Sequence, residues 1–282
     1  MMERHGADES EDRPGAMAGD MAGTGDVESL KAANAQELHR AVREAGAEEL
    51  ERPVSALFWS GLAAGLAVTA SLVAEGAIAA HVPPGSSRAL IIALGYPIGF
   101  VMVILGRMQL FTESTVTAML PLVTTPSWDA LGRTLRLWAV VLGANCIGTA
   151  LAAGAFAKMA LGDSTLDAGM IEVSMAITEH GAMETFFNAV PAGFLIAIVA
   201  WSLPNAREHA LLVIFGIVYV VAIGGFSHSI VGSSEAFLLL WTGKIGIDGV
   251  LAFLVPAVLG NLLGGAGLFA VLAHGQVQDS GE

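Results

Sequence analysis

From residue 54 to residue 273 the chain consists almost entirely of long apolar stretches, roughly 54–80, 88–122, 134–160, 184–203, 210–243 and 248–273, separated by short polar gaps. A helix needs about 20 mostly apolar residues to cross the hydrocarbon core of a bilayer. In that solvent every backbone N–H and C=O must be satisfied within the protein. The pattern predicts an all-α membrane protein with six transmembrane spans, embedded in a lipid bilayer. Spans two and five are too long for one simple crossing. Each carries a Gly/Ser/Thr-rich interruption, so both are expected to be broken helices.

Composition narrows the class further. Only 14% of the 282 residues are charged and 54% are hydrophobic, against about 25% charged in a soluble domain. The one cysteine, Cys146, supports neither a disulfide nor a cysteine metal site. No His-Glu-x-x-His metal motif occurs, and no cofactor is expected. The net charge is −13, and residues 1–52 hold 13 acidic side chains against 6 basic ones. That balance argues against nucleic acid as a partner. Residues 1–28 read as a disordered acidic tail without the basic and apolar segments of a secretory signal. Residues 29–53 read as a weakly amphipathic cytosolic helix, either solvated or lying on the membrane surface. Residues 274–282 read as a short cytosolic tail.

Basic residues in short loops mark the cytoplasmic side. Arg40, Arg43 and Arg52 precede span one, Arg133 and Arg136 follow span two, and Arg207 follows span four. The loop from Lys158 to Glu184, with Asp163, Asp167, Glu172, Glu179 and Glu184, falls on the opposite face. Both termini are then expected in the cytoplasm, in a bacterial-type inner membrane.

Internal similarity ties the two interruptions together. Phe111-Thr112-Glu113-Ser114 matches Phe226-Ser227-His228-Ser229 at an offset of 115, and Asn145-Cys-Ile-Gly148 matches Asn261-Leu-Leu-Gly264 at 116. A repeat of three spans must be inverted in the membrane. Broken helices at corresponding positions of inverted repeats mark a transport pathway. His228 is an ionisable residue inside an apolar span, which is a functional signal; an unreactive, hydrogen-bonded His is the alternative. Phe111 and Phe226 can form dewetting constrictions or simply pack. The Thr112 hydroxyl can bind an anion or bond back to its own helix. Asn145 and Asn261 are expected to brace the free backbone at the breaks. Arg107 and Glu113 are left without a fixed role, either paired with each other or reaching the cytoplasmic interface.

The strings Gly-Arg-Met-Gln-Leu-Phe-Thr (106–112), Thr-Phe-Phe-Asn-Ala-Val-Pro-Ala-Gly (185–193), Gly-Gly-Phe-Ser-His-Ser (224–229) and Gly-Asn-Leu-Leu-Gly-Gly (260–265) resemble the formate/nitrite transporter family over about residues 54–273. The resemblance implies an aquaporin-like fold, a homopentamer, and one pore per protomer for small monovalent anions; His228, which titrates near neutral pH and could hand a proton to a weak-acid anion or supply positive charge, adds protons as a further partner. It places Leu110, Phe111 and Thr112 in the pore loop and makes His228 the central histidine. Tyr96 matches the aromatic on the outer side of the pore, and Phe100 is placed with it on the pathway. The family's usual Glu before the histidine is Ser227 here, and its Asn a few residues later is Gly232. Its vestibule lysine falls near Gly181, and its span-four Asn at Ala197.

Two rival classes remain, beside a non-transporting sensor or scaffold that the long tail suggests. A neutral-solute pore fits the missing lysine, but paired Asn-Pro-Ala loops are absent. A serine hydrolase built on Ser227 or Ser229 with His228 is disfavoured, because nucleophile and base normally come from different elements.

Overall fold

The computed structural model describes residues 33–159 and 164–278, and among these every regular element is helical. The acidic tail expected over 1–28 lies outside the described residues. The described helices belong to one unit that begins at Asn34.

Helix α1 (Ala35–Glu51) starts at a reciprocal cap. The Asn34 side chain accepts from the Glu37 N–H, and the Glu37 carboxylate accepts from the Asn34 N–H. It stops ahead of Pro53, which disfavours helical backbone at Arg52. His39, Val42, Gly46 and Leu50 form its buried stripe. Periodicity reveals such a stripe but not what covers it. Here the cover is protein rather than water or lipid, and comes from α6 (Phe111–Thr117), α7 (Met119–Thr124) and α14 (Ala270–Gln278). The Thr117 hydroxyl donates to Glu49 at 2.7 Å, and Arg136 donates to the Leu50 carbonyl at 2.6 Å.

Burial first, then the neighbouring His274 and Arg43, holds His39 below the ordinary imidazole value. Burial raises Glu49 above the ordinary carboxyl value, against its hydrogen bonds to Thr117 and Gln109 and the charge of Arg52. The two groups have opposite linkage. His39 supports α1 docking fully above pH about 6.5, and that support is lost as pH falls through its depressed value. The Glu49 contribution is present below the ordinary carboxyl value and lost as pH rises through its raised one. With Glu49→Gln silencing the opposing group, hydrogen-exchange protection of residues 35–51 should fall on acidification below about pH 6.5, and Glu49→Gln/His39→Phe should abolish that fall. A flat profile in the single variant would contradict it.

Beyond α1 the chain forms α2 (Val54–Val68) and α3 (Ala70–His81), then α4 (Arg88–Ile92) and α5 (Pro97–Leu105), which leads to α6 and α7. Next come α8 (Trp128–Met159), α9 (Ser164–Met175), α10 (Ala182–Ser202), α11 (Ala210–Ile223), α12 (Ser229–Trp241) and α13 (Ile247–Leu262), the last continuing through a π-helical stretch, Leu263–Phe269, into α14. Among the described residues five segments are long and apolar enough to cross a membrane: Val54–His81, Arg88–Leu105, Trp128–Lys158, Ala182–Ser202 and Ile247–Val277. The expected fifth span, 210–243, is two shorter apolar helices, α11 and α12.

The acidic segment between α8 and α10, expected as a loop, contains α9. Its acidic residues hide a buried contact: Met170 packs on α3 beside Gly76.

Two helix pairs make the most extensive contacts, α2 with α8 and α10 with α13. Both rely on close backbone approach at a small residue. A Cβ on Gly65 would lie 2.3 Å from the Asn145 carbonyl, and a Cβ on Gly193 would lie 2.3 Å from the Asn261 carbonyl. Each glycine therefore seats an asparagine helix against its neighbour, which fixes where the two asparagine side chains reach.

Candidate functional site

The two breaks have the same backbone. In the first, α5 ends at Leu105 and Gly106 is the cap. Arg107 turns left-handed at φ 50°, and the Met108 N–H reaches back to the Val103 carbonyl at 3.0 Å. In the second, α11 ends at Ile223 and Gly224 is the cap. Gly225 turns left-handed at φ 63°, and the Phe226 N–H reaches the Val221 carbonyl at 3.1 Å. Both are Schellman closures, which satisfy the last carbonyls of a helix. Each break then returns to extended backbone, at Leu110 (φ −100°, ψ 126°) and at His228 (φ −104°, ψ 125°), before α6 and α12 begin. Arg107 thus holds a position where its counterpart is glycine. Its side chain is exposed, and among the described residues no ion pair joins it to Glu113.

This geometry corrects the register of the repeat. Gly106 pairs with Gly224, Leu110 with His228 and Phe111 with Ser229, each 118 residues apart. The motif match at 115 is three residues out. Phe111 and Phe226 are therefore not equivalent constrictions. Phe111 is the first residue of α6, whereas Phe226 lies in the turn before α12, where Met108 is its counterpart.

Asn145 and Asn261 bind the free backbone at these two sites. The Asn145 Oδ1 accepts from the Phe111 N–H at 2.9 Å, while its Nδ2 donates to the carbonyls of Gly61 (2.8 Å) and Gln109 (2.9 Å). The Asn261 Oδ1 accepts from the Ser229 N–H at 2.8 Å, while its Nδ2 donates to Ala189 (2.8 Å) and Ser227 (3.0 Å). A side-chain amide offers one acceptor and two donors to match those three backbone groups. Both asparagines are fully buried.

Between the breaks, His228 Nε2 lies 2.8 Å from Thr112 Oγ1. His228 is also the cap of α12, with Nδ1 accepting from the Val231 N–H at 3.2 Å. A ring nitrogen that accepts carries no proton. The proton is therefore on Nε2, which donates to Thr112. The Phe100 ring meets the imidazole edge-on at 4.8 Å, and Tyr96 stacks beside Phe100 at 5.6 Å. Phe100, Leu110, Phe111, Thr112 and His228 are all essentially buried.

A cavity of about 310 Å³ approaches this point from one side. Tyr96, Phe226, Ser227 and His228 line it, and Glu179 and His180 join from the segment before α10. It does not reach Phe100, Leu110, Phe111 or Thr112. Of the sequence-predicted residues, four thus share one cavity and four lie in the packed region beyond it. Arg107 and Glu113 do not line the cavity. Glu113 sits within electrostatic reach of Glu49 and Arg107. Gly232 is required by packing, since a Cβ there would lie 2.2 Å from the Phe253 ring. Gly181 faces open space, and beside it His180 pairs with Glu184 at 2.8 Å.

Two residues escaped the sequence reading. Glu75 and Glu235 line the same cavity, only 6% and 8% exposed. Their signal was present: each is an ionisable residue in an apolar run, the same signal that singled out His228.

Residues 36–275 match the formate/nitrite transporter family. The chain belongs to that family. The match begins at residue 36, so α1 lies within the family region rather than before it. The inner membrane protein YfdC of Escherichia coli (strain K12) is 37% identical over 246 residues, covering 87% of this chain and 79% of that one. The uncharacterized transporter YrhG of Bacillus subtilis (strain 168) is 24% identical over 252 residues, covering 84% and 92%. Among solved structures, an FNT family ion channel superposes with TM-score 0.74 at 19% identity, covering 86% of this chain and 99% of that one. A pentameric formate channel with formate bound superposes with TM-score 0.68 at 18% identity, covering 79% and 97%. Membership of a transporter family sets aside the hydrolase reading. The site agrees: both imidazole nitrogens of His228 are engaged, by Val231 and by Thr112, and neither bonds to a serine.

Proposed function

We propose that this family member carries small monovalent anions across a bacterial inner membrane. The pore is one of five in a homopentamer, made of six spans arranged as a 3+3 inverted repeat with both termini in the cytoplasm. The observation that carries this reading is the buried Thr112–His228 contact at 2.8 Å, which joins the two broken helices at the end of the cavity. The proteins of similar fold, described as an ion channel and as a formate channel, support the cargo class.

The chemistry follows from the donor inventory. His228 Nε2–H donates to Thr112, which leaves the Thr112 hydroxyl hydrogen free. An arriving anion with two oxygens can take both donors, replacing the contact between them. Phe100, Leu110 and Phe111 surround that point with apolar side chains. A bare charge is costly to move through such surroundings, and a protonated weak acid far less so. Crossing is therefore coupled to protonation at or near His228.

Full-length protein in liposomes should pass formate at least about tenfold faster than glycerol, because the pathway presents hydrogen-bond donors in an otherwise apolar constriction. Formate uptake should rise as the outer pH falls. Glycerol flux equal to or above formate flux would favour the neutral-solute pore instead.

A further inference from the structure

The cavity that leads to His228 contains neither lysine nor arginine. Of its three carboxyl side chains two, Glu75 from α3 and Glu235 from α12, are each more than nine-tenths buried, while Glu179 is exposed. Oε2 of Glu75 is buried without a hydrogen-bond partner, and Glu75 lines this cavity. The two carboxyl groups and the Tyr96 hydroxyl are within electrostatic reach of one another. The other titratable groups on the cavity are Glu179, His180 and His228. His180 is paired with Glu184 at 2.8 Å. On α9, packed against α3, Glu172 is bound to Arg88, and Asp167 Oδ1 is buried without a partner. The Arg88 guanidinium and the His180 imidazole are thus already engaged with carboxylates outside the cavity.

Two carboxylates in a confined, poorly solvated space cannot both stay ionised without a counter-charge. Among the described residues no cluster of three or more His, Cys, Asp or Glu is arranged to hold a metal ion. A proton satisfies the pair with no further ligand.

The geometry points to Glu75 and Glu235 as a proton-binding site that protonates the substrate before it reaches His228. This rests on the anion-transport reading and deepens it, by assigning the proton to a carboxyl pair rather than to the imidazole. The O–H bond of the protonated glutamic acid breaks as an O–H bond forms on the substrate carboxylate. The resulting neutral acid moves on, and the external solution returns a proton to the glutamate. Negative charge on the pair repels every anion, but the conjugate base of a weak acid escapes that repulsion by taking the proton, and the anion of a strong acid does not. The site therefore selects conjugate bases of weak acids and rejects anions of strong acids.

The test uses the full chain in liposomes, with formate and nitrate as probes. Wild type should take up formate about tenfold faster at pH 5 than at pH 8, and should pass nitrate at about a tenth of the formate rate or less. Glu75→Gln/Glu235→Gln should flatten the formate profile to within about twofold and raise nitrate to the formate rate. A double variant that keeps the wild-type pH rise and still excludes nitrate overturns the proposal. Wild type that transports neither anion at any pH overturns the anion-transport reading instead. Infrared difference spectra of the solubilised single variants give a readout independent of flux. A protonated-carboxyl band that titrates in wild type should be lost in Glu75→Gln or in Glu235→Gln. An unchanged band in both overturns the proton site, whether or not the liposomes conduct.

Discussion

Asn145→Leu and Asn261→Leu should each prevent the chain from reaching its folded, transport-competent form. Each substitution strands one buried N–H and one carbonyl at a break, and removes a second bond to a carbonyl of a neighbouring helix, Gly61 or Ala189. A buried polar group left without a partner costs about 1–3 kcal/mol, so the two at each break cost roughly 2 kcal/mol at the least. Leucine keeps the branched shape of asparagine and leaves no cavity, but its two methyl groups are bulkier than the amide, so crowding adds to the lost hydrogen bonds. Asparagine to aspartate is the discriminating control. It keeps the acceptor for Phe111 or Ser229, yet turns an oxygen toward two carbonyls in place of the donor. It should therefore be no milder than leucine. The measurement is the monodisperse fraction in detergent and its thermal midpoint. A leucine variant at either site that matches wild type in both would show that the asparagines do not hold the breaks together.

His228→Ala should have the second large effect, and on transport rather than on folding. The substitution removes the Nδ1 cap of α12, which costs about 1 kcal/mol, and the Nε2–H donor to Thr112. The cap is one of several contacts at the start of α12, since Asn261 still receives the Ser229 N–H. Formate flux should fall at least about tenfold, the equivalent of one lost hydrogen bond of about 1.4 kcal/mol at a buried site. Folding should be nearly intact. Flux within twofold of wild type would separate His228 from the pathway.

The sequence carried more of the architecture than of the site. The apolar runs and the Gly/Ser/Thr-rich interruptions expose the helices and the breaks, because both follow from composition. The bracing asparagines are legible for a related reason, since a polar amide in an apolar span demands partners. The repeat register was not legible. The Phe-hydroxyl-polar-Ser strings at 111 and 226 align side chains that the backbone does not align. What sets the register is the left-handed turn at Arg107 and Gly225 and the residue each asparagine caps. An arginine in a glycine position conceals that equivalence from any residue-by-residue match.

Helix α9 and the docking of α1 were missed because acidic residues outside the contacts masked the apolar residues within them. The glutamates at 75 and 235 were read as part of their apolar runs. Only the fold shows that α3 and α12 bring them to one cavity. With lysine absent near Gly181 and two carboxyls on the wall, the vestibule differs in charge from the one the family resemblance implies.

The central claim is that the two breaks meet at Thr112 and His228 to form one permeation point. A double-mutant cycle on formate flux in liposomes tests it most directly, using Thr112→Val, His228→Ala and the pair. Residues that act through a shared contact should each lower flux at least about tenfold, and the double variant should be no worse than the poorer single. Losses that multiply, or a wild-type rate in either single variant, would contradict the account.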